Sequence, residues 1–95
     1  MSTLQAGEEL AASVAVAKRI TLADVEAAIV DTYFHVYKTL TICVLTTRNG
    51  FTVTGESACI SVENFDKAVG EKFARDDAMR KLWGLEAYAH RSSQL

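Results

Sequence analysis

The chain has four His and Cys side chains that could ligate zinc, His35, Cys43, Cys59 and His90. Structural zinc sites bring their ligands in close pairs such as Cys-x-x-Cys, and no such pair is present, so no metal centre is expected. A cysteine nucleophile needs a neighbouring base and a lowered thiol pKa. His35 is the base within reach of Cys43, but Glu56, set opposite Cys43 by the strand pairing argued below, opposes a thiolate. Gly50, Gly55 and Gly70 are too dispersed to cradle a phosphate, and neither Gly-Lys-Ser nor Gly-x-Gly-x-x-Gly occurs. The carboxylates Asp66, Glu71, Asp76 and Asp77 fall on a helix with basic residues four positions away, which is the pattern of a solvated face rather than of an acid/base pair. The expectation is a chain that is no enzyme and carries no cofactor.

What remains is cationic and aromatic. Lys72, Arg75 and Arg80, with Arg48 at a hairpin tip, are suited to clamp one small anion at a seam between copies, because guanidinium groups match phosphate oxygens bidentately. Phe51, Tyr33 or Trp83 offers a face on which a base can stack. The plainer reading makes Phe51 and Trp83 core residues and pairs Arg80 with Asp76.

The elements that position these residues start from Asn49-Gly50, which lies between two runs rich in β-branched residues. A type I′ turn needs φ > 0 at both central positions, which Asn and Gly supply cheaply. A two-residue loop pairs Arg48 with Phe51, Thr46 with Val53, Val44 with Gly55, Ile42 with Ser57 and Leu40 with Cys59 on one largely apolar face. The other face then carries Thr47, Leu45, Cys43 and Thr41 with Thr52, Thr54, Glu56 and Ala58. In this hairpin, 39–58, Cys43 and Cys59 lie on opposite faces, so two reduced, buried thiols are expected.

Ser61 reads as an N-cap with Glu63 in the first turn, and Phe65, Val69, Phe73, Ala78 and Leu82 form a stripe that predicts a helix over 62–83. Gly84 is its stop, with 85–90 as a last turn or a second short helix. Asp76 with Arg80 and Asp77 with Lys81 are four apart in the favourable order, each worth about 0.3–0.5 kcal/mol. Thr21 and Asp24 resemble a capping box before a short helix near 22–30, and 32–37 reads as a third strand. Residues 1–20, broken by Gly7 and Glu8-Glu9, read as a frayed or disordered arm. Residues 21–95 read as one α+β domain, a small antiparallel sheet packed with a long C-terminal helix and short flanking helices.

At 95 residues, a domain of this kind buries only about 60–65% of its surface on folding, so a homo-oligomer is expected. Lys+Arg number 10 against 12 for Asp+Glu. That balance argues against a broad basic field for a nucleic-acid polymer or an anionic membrane. No apolar run approaches the roughly 20 residues that span a bilayer, and no basic segment leads an apolar one at the amino end, so a cytosolic protein is expected.

The strings Arg48-Asn49-Gly50-Phe51-Thr52-Val53-Thr54-Gly55-Glu56-Ser57-Ala58-Cys59, Glu63-Asn64-Phe65-Asp66, Gly70, Ala74-Arg75, Lys81-Leu82-Trp83 and Leu85-Glu86-Ala87-Tyr88 together resemble a family of small phage proteins. It is the family named after gene product forty-nine of coliphage N-four and gene product sixty-six of phage Sf-six. The resemblance runs from about Val25 to Arg91, with Ser61-Val62 where relatives often carry Asp-Pro and Gly84 where many carry Pro. The pattern is also similar to phage inhibitors of Thoeris immunity, which soak up cyclic ADP-ribose signals and, in some cases, cyclic di- or trinucleotides. What this resemblance implies is a sponge in the host bacterial cytoplasm: a dimer-based homo-oligomer, up to a hexamer, that binds a small anionic nucleotide second messenger without altering it. An alternative is a module that modulates a host protein and takes no small ligand. The ligand-binding residues implied are Phe51, Asn64, Arg75 and Arg80. Asn64 and Arg80 alone are sixteen residues apart, about 24 Å of helix, so convergence is expected across a subunit boundary.

Overall fold

Thr21 caps the first helix in the computed structural model, which describes Leu4, Gln5 and residues 19–95. Its hydroxyl accepts from the Asp24 N–H at 3.1 Å, and the Asp24 carboxylate accepts from the Thr21 N–H at 2.9 Å. This is the reciprocal capping box legible in the sequence, and it opens α1 (Leu22–Ala27). The expectation for residues 1–20 falls mostly outside the described residues; of those described there, Leu4 packs against the core.

Three antiparallel strands follow, β1 (Ile29–Tyr37), β2 (Leu40–Thr47) and β3 (Thr52–Ala58), in the order β1-β2-β3. A 3-10 turn (Val62–Asn64) leads into α2 (Lys67–Ser92), which lies over β3 and β2. The architecture is α+β, as expected. The third strand is longer than the expected 32–37, because the chain passes almost directly from α1 into extended backbone at Ile29.

The hairpin register differs by one residue from the two-residue loop. Leu45 faces Val53, Cys43 faces Gly55 and Thr41 faces Ser57. The loop is the three residues Arg48 to Gly50: the Gly50 N–H donates to the Thr47 carbonyl at 2.8 Å, and the Thr47 N–H donates to the Phe51 carbonyl at 2.8 Å. Of these three residues only Gly50 takes a left-handed φ, 88°, the pattern of a type I turn closed by a bulge. Asn49 acts through its side chain instead, its Oδ1 accepting from the Thr47 hydroxyl at 2.6 Å and from the Phe51 N–H at 3.1 Å. The consequence is an exchange of faces: Thr41, Cys43, Leu45 and Thr47 are buried together with Val53 and Gly55.

Packing decides that register. A Cβ built on Gly55 would overlap the Ala74 carbonyl and the Ala78 N–H of α2, and one on Gly70 would stand 2.6 Å from the Thr41 hydroxyl. Gly70, Ala74 and Ala78 thus form a ridge of small residues at intervals of four, on which the helix backbone lies against Thr41 and Gly55. Val25, Leu45, Met79 and Leu82 complete the core.

The helix boundaries move accordingly. Asp66, not Ser61, is the N-cap, its Oδ1 accepting from the Val69 N–H at 3.1 Å. The helix also runs through Gly84, around which a Cβ would meet nothing within 4 Å. The expected stripe of Phe65, Val69 and Phe73 is not the core stripe, since Val69 and Phe73 stay 49% and 52% exposed in the single chain. Starting the helix five residues later (Lys67 rather than Val62) leaves the contact with the sheet to the small residues, and the bulky ones flank it.

Candidate functional site

The two edges of the sheet are treated differently. On β3 the outward Glu56 N–H donates to the Asp77 carboxylate at 3.0 Å, and Lys81 Nζ donates to the Thr54 carbonyl at 2.8 Å. Lys81 also pairs with Glu56 at 3.5 Å and with Asp77 at 3.8 Å. The Asp77–Lys81 spacing was legible in the sequence, but its work in closing a strand edge was not, because that needs the helix axis to lie along β3. The β1 edge carries no such cover among the described residues, and Tyr33 and Tyr37 on it are 57% and 60% exposed.

Among the described residues, helix α2 makes its main sheet contacts with β3 and β2. Arg75 on this helix is half-buried, with neither a hydrogen bond nor an ion pair to a described residue. Its neighbour across the helix-to-sheet gap is Cys43. Burial pushes the Cys43 thiol above its ordinary value; the Arg75 charge pulls the other way and the Glu71 charge adds to the rise. Glu71 and Arg75, one turn apart on α2, are thus the charges that act on Cys43. Cys43 and Cys59 are both free, with Cys43 buried and Cys59 only partly so.

The other expected site residues lie apart. Phe51 is exposed beside the hairpin tip, lining a cleft of about 190 Å³ with Leu82, Leu85 and Glu86 from the far half of α2. Asn64 lies at the opposite end, in the 3-10 turn, on an apolar cleft of about 200 Å³ with Phe65, Val69, Phe73 and Cys59. Arg80 is exposed on α2 and already engaged within the chain. A single chain brings no two of the four into one cavity among those described.

A third cavity, of about 360 Å³, separates α1 from the end of α2. Arg48 lines it, 4.0 Å from Glu86 and 3.5 Å from the Ala27 carbonyl, and Asp24 and His90 complete its polar wall. Two carboxylates facing one arginine make it a poor seat for phosphate. No group of three or more His, Cys, Asp or Glu among the described residues is arranged to hold a metal ion. No described helix is long and apolar enough to cross a membrane.

No curated protein and no solved structure matches the chain. The model of the Phage protein (N4 Gp49/phage Sf6 gene 66) family matches residues 20–94, which spans the capping box, the sheet and all of α2. The chain therefore belongs to the Phage protein (N4 Gp49/phage Sf6 gene 66) family.

Proposed function

We propose that the protein is a non-catalytic phage accessory protein that binds a small anionic nucleotide signal in the host cytoplasm and sequesters it unaltered. The observation that carries this reading is Arg75, a half-buried guanidinium with no carboxylate partner among the described residues. Such a group keeps its donor fork available for phosphate oxygens, in a setting where part of its desolvation is already met by the fold. The upward shift of Cys43 supports binding over thiolate chemistry, since the thiol beside the arginine is held neutral. We take the ligand class, cyclic ADP-ribose isomers or cyclic di- and trinucleotides, from the resemblance of the sequence strings to Thoeris inhibitors.

A second reading rests on a different feature. The sheet face away from α2 carries Tyr33 and Tyr37 beside Ile42 and Val44, an apolar aromatic surface of the kind that docks a protein. A thermal-shift panel of cyclic nucleotides and cyclic ADP-ribose isomers separates the two. A ligand at 100 times its dissociation constant adds about 2.7 kcal/mol of apparent stability, a rise of many degrees for a domain of this size. A panel that leaves the melting temperature flat at millimolar ligand overturns the sponge and leaves the interaction module.

A further inference from the structure

The stripe of Phe65, Val69 and Phe73 does not enter the core; it walls the apolar cleft of about 200 Å³ that lies where the 3-10 turn and the start of α2 meet the end of β3. Gly70 lines the same cleft from the helix, and Thr39 and Ser57 line it from the sheet side. Thr41 lies one step further in. It pairs with Ser57 across the hairpin, follows Thr39 by two residues, and stands against Gly70. Its side chain is fully buried, and its hydroxyl has no hydrogen-bond partner among the described residues. A buried hydroxyl left in this state is costly unless something else supplies the bond.

Gly70 joins the hydroxyl to the cleft. The position its Cβ would take is 2.6 Å from Thr41 Oγ1 and 3.8 Å from a ring carbon of Phe65. The polar atom and the aromatic wall thus border one point, and a residue with no side chain keeps that point clear. The packing of α2 on β2 accounts for a small residue there, but it leaves the Thr41 hydroxyl unsatisfied and the apolar walls exposed.

We propose that this cleft binds a small uncharged molecule with a flat apolar body and a single polar end, the body lying between Phe65, Val69 and Phe73 and the polar end bonding to Thr41 Oγ1. Size, lining and charge each narrow the class. An apolar cavity of about 150 Å³ takes one benzene ring, so this cleft has room for a ring with a substituent and is too small for a dinucleotide. The walls offer dispersion contacts and a ring face. Asp66 on the rim places a carboxylate at the mouth, and that carboxylate already caps the helix at the Val69 N–H, so an anion meets repulsion there rather than a free helix end. The site is therefore separate from the Arg75 reading and stands or falls without it.

The probes are 4-methylphenol and toluene, which differ by the hydroxyl alone, titrated into the full chain and followed by amide chemical shifts. Both should move the signals of the cleft residues. Thr41→Val keeps the side-chain shape and removes the hydroxyl; it should weaken 4-methylphenol by about threefold to tenfold, leave toluene unchanged, and raise the melting temperature of the empty protein. Cys59 lines the cleft, its thiol donating to the Ser61 carbonyl at 3.3 Å. Saturating 4-methylphenol should therefore slow alkylation of Cys59 severalfold. Val69→Trp, at a half-exposed wall position that tolerates bulk, should fill the cleft and abolish both binding and protection, and it keeps the test open if Thr41→Val does not fold. The same ratio of the two affinities in wild type and in folded Thr41→Val overturns the part given to Thr41. Binding that leaves Cys59 unprotected, or that survives Val69→Trp, overturns the site.

Discussion

Arg75 and Arg80 share a helix but not an environment. Arg75 is half-buried over β2 beside Cys43, whereas Arg80 is exposed and engaged within the chain. Arg75→Ala should therefore weaken nucleotide binding by about 2–5 kcal/mol with little change in the melting temperature of the empty protein. Arg80→Ala should leave binding nearly unchanged, which calorimetric titration of the two variants resolves. Cys43 gives a second expectation. Its thiol is held protonated by burial, so above the ordinary thiol range the unfolded chain releases a proton that the folded chain keeps. Folding stability should then fall as pH rises through that range, and this dependence should vanish in Cys43→Ala. At neutral pH, alkylation should mark Cys59 well before Cys43. The helix that carries Arg75 was legible in the sequence. Spacing along the chain does not reveal that Phe51 at the hairpin tip and Asn64 in the 3-10 turn line separate clefts at opposite ends of α2.

At the scale of elements, the contact between α2 and the sheet turns on Gly55. A Cβ there meets helix backbone at Ala74 and Ala78, which cannot rotate away. Gly55→Ala should cost about 3 kcal/mol or more, read as a lowered urea midpoint. Gly84 is the opposite case. It lies inside α2 with open space around it, so Gly84→Ala should raise stability by about 0.5–1 kcal/mol and the melting temperature by a few degrees. The sequence made the three strands, the capping box and the long helix legible, since each rests on local chemistry: β-branched runs, Thr21 with Asp24, and a long amphipathic stretch. The register was not legible. Asn49-Gly50 serves a two-residue turn or a three-residue bulged one equally well, and the choice is made by where Gly55 must lie beneath Ala74 and Ala78. The same blindness hid the helix boundaries, because Asp66 caps as well as Ser61 and Gly84 does not stop a helix by itself.

At the scale of the whole molecule, the described residues leave three things unfinished: a nine-residue edge strand without cover, an exposed aromatic sheet face, and a half-buried arginine without a partner among them. The third of these carries the proposed sequestering function, and calorimetry tests it directly. Isothermal titration of the wild-type protein with the nucleotide that gives the largest thermal shift should return saturable heat, which Arg75→Ala should abolish. Heat that survives Arg75→Ala unchanged would contradict it.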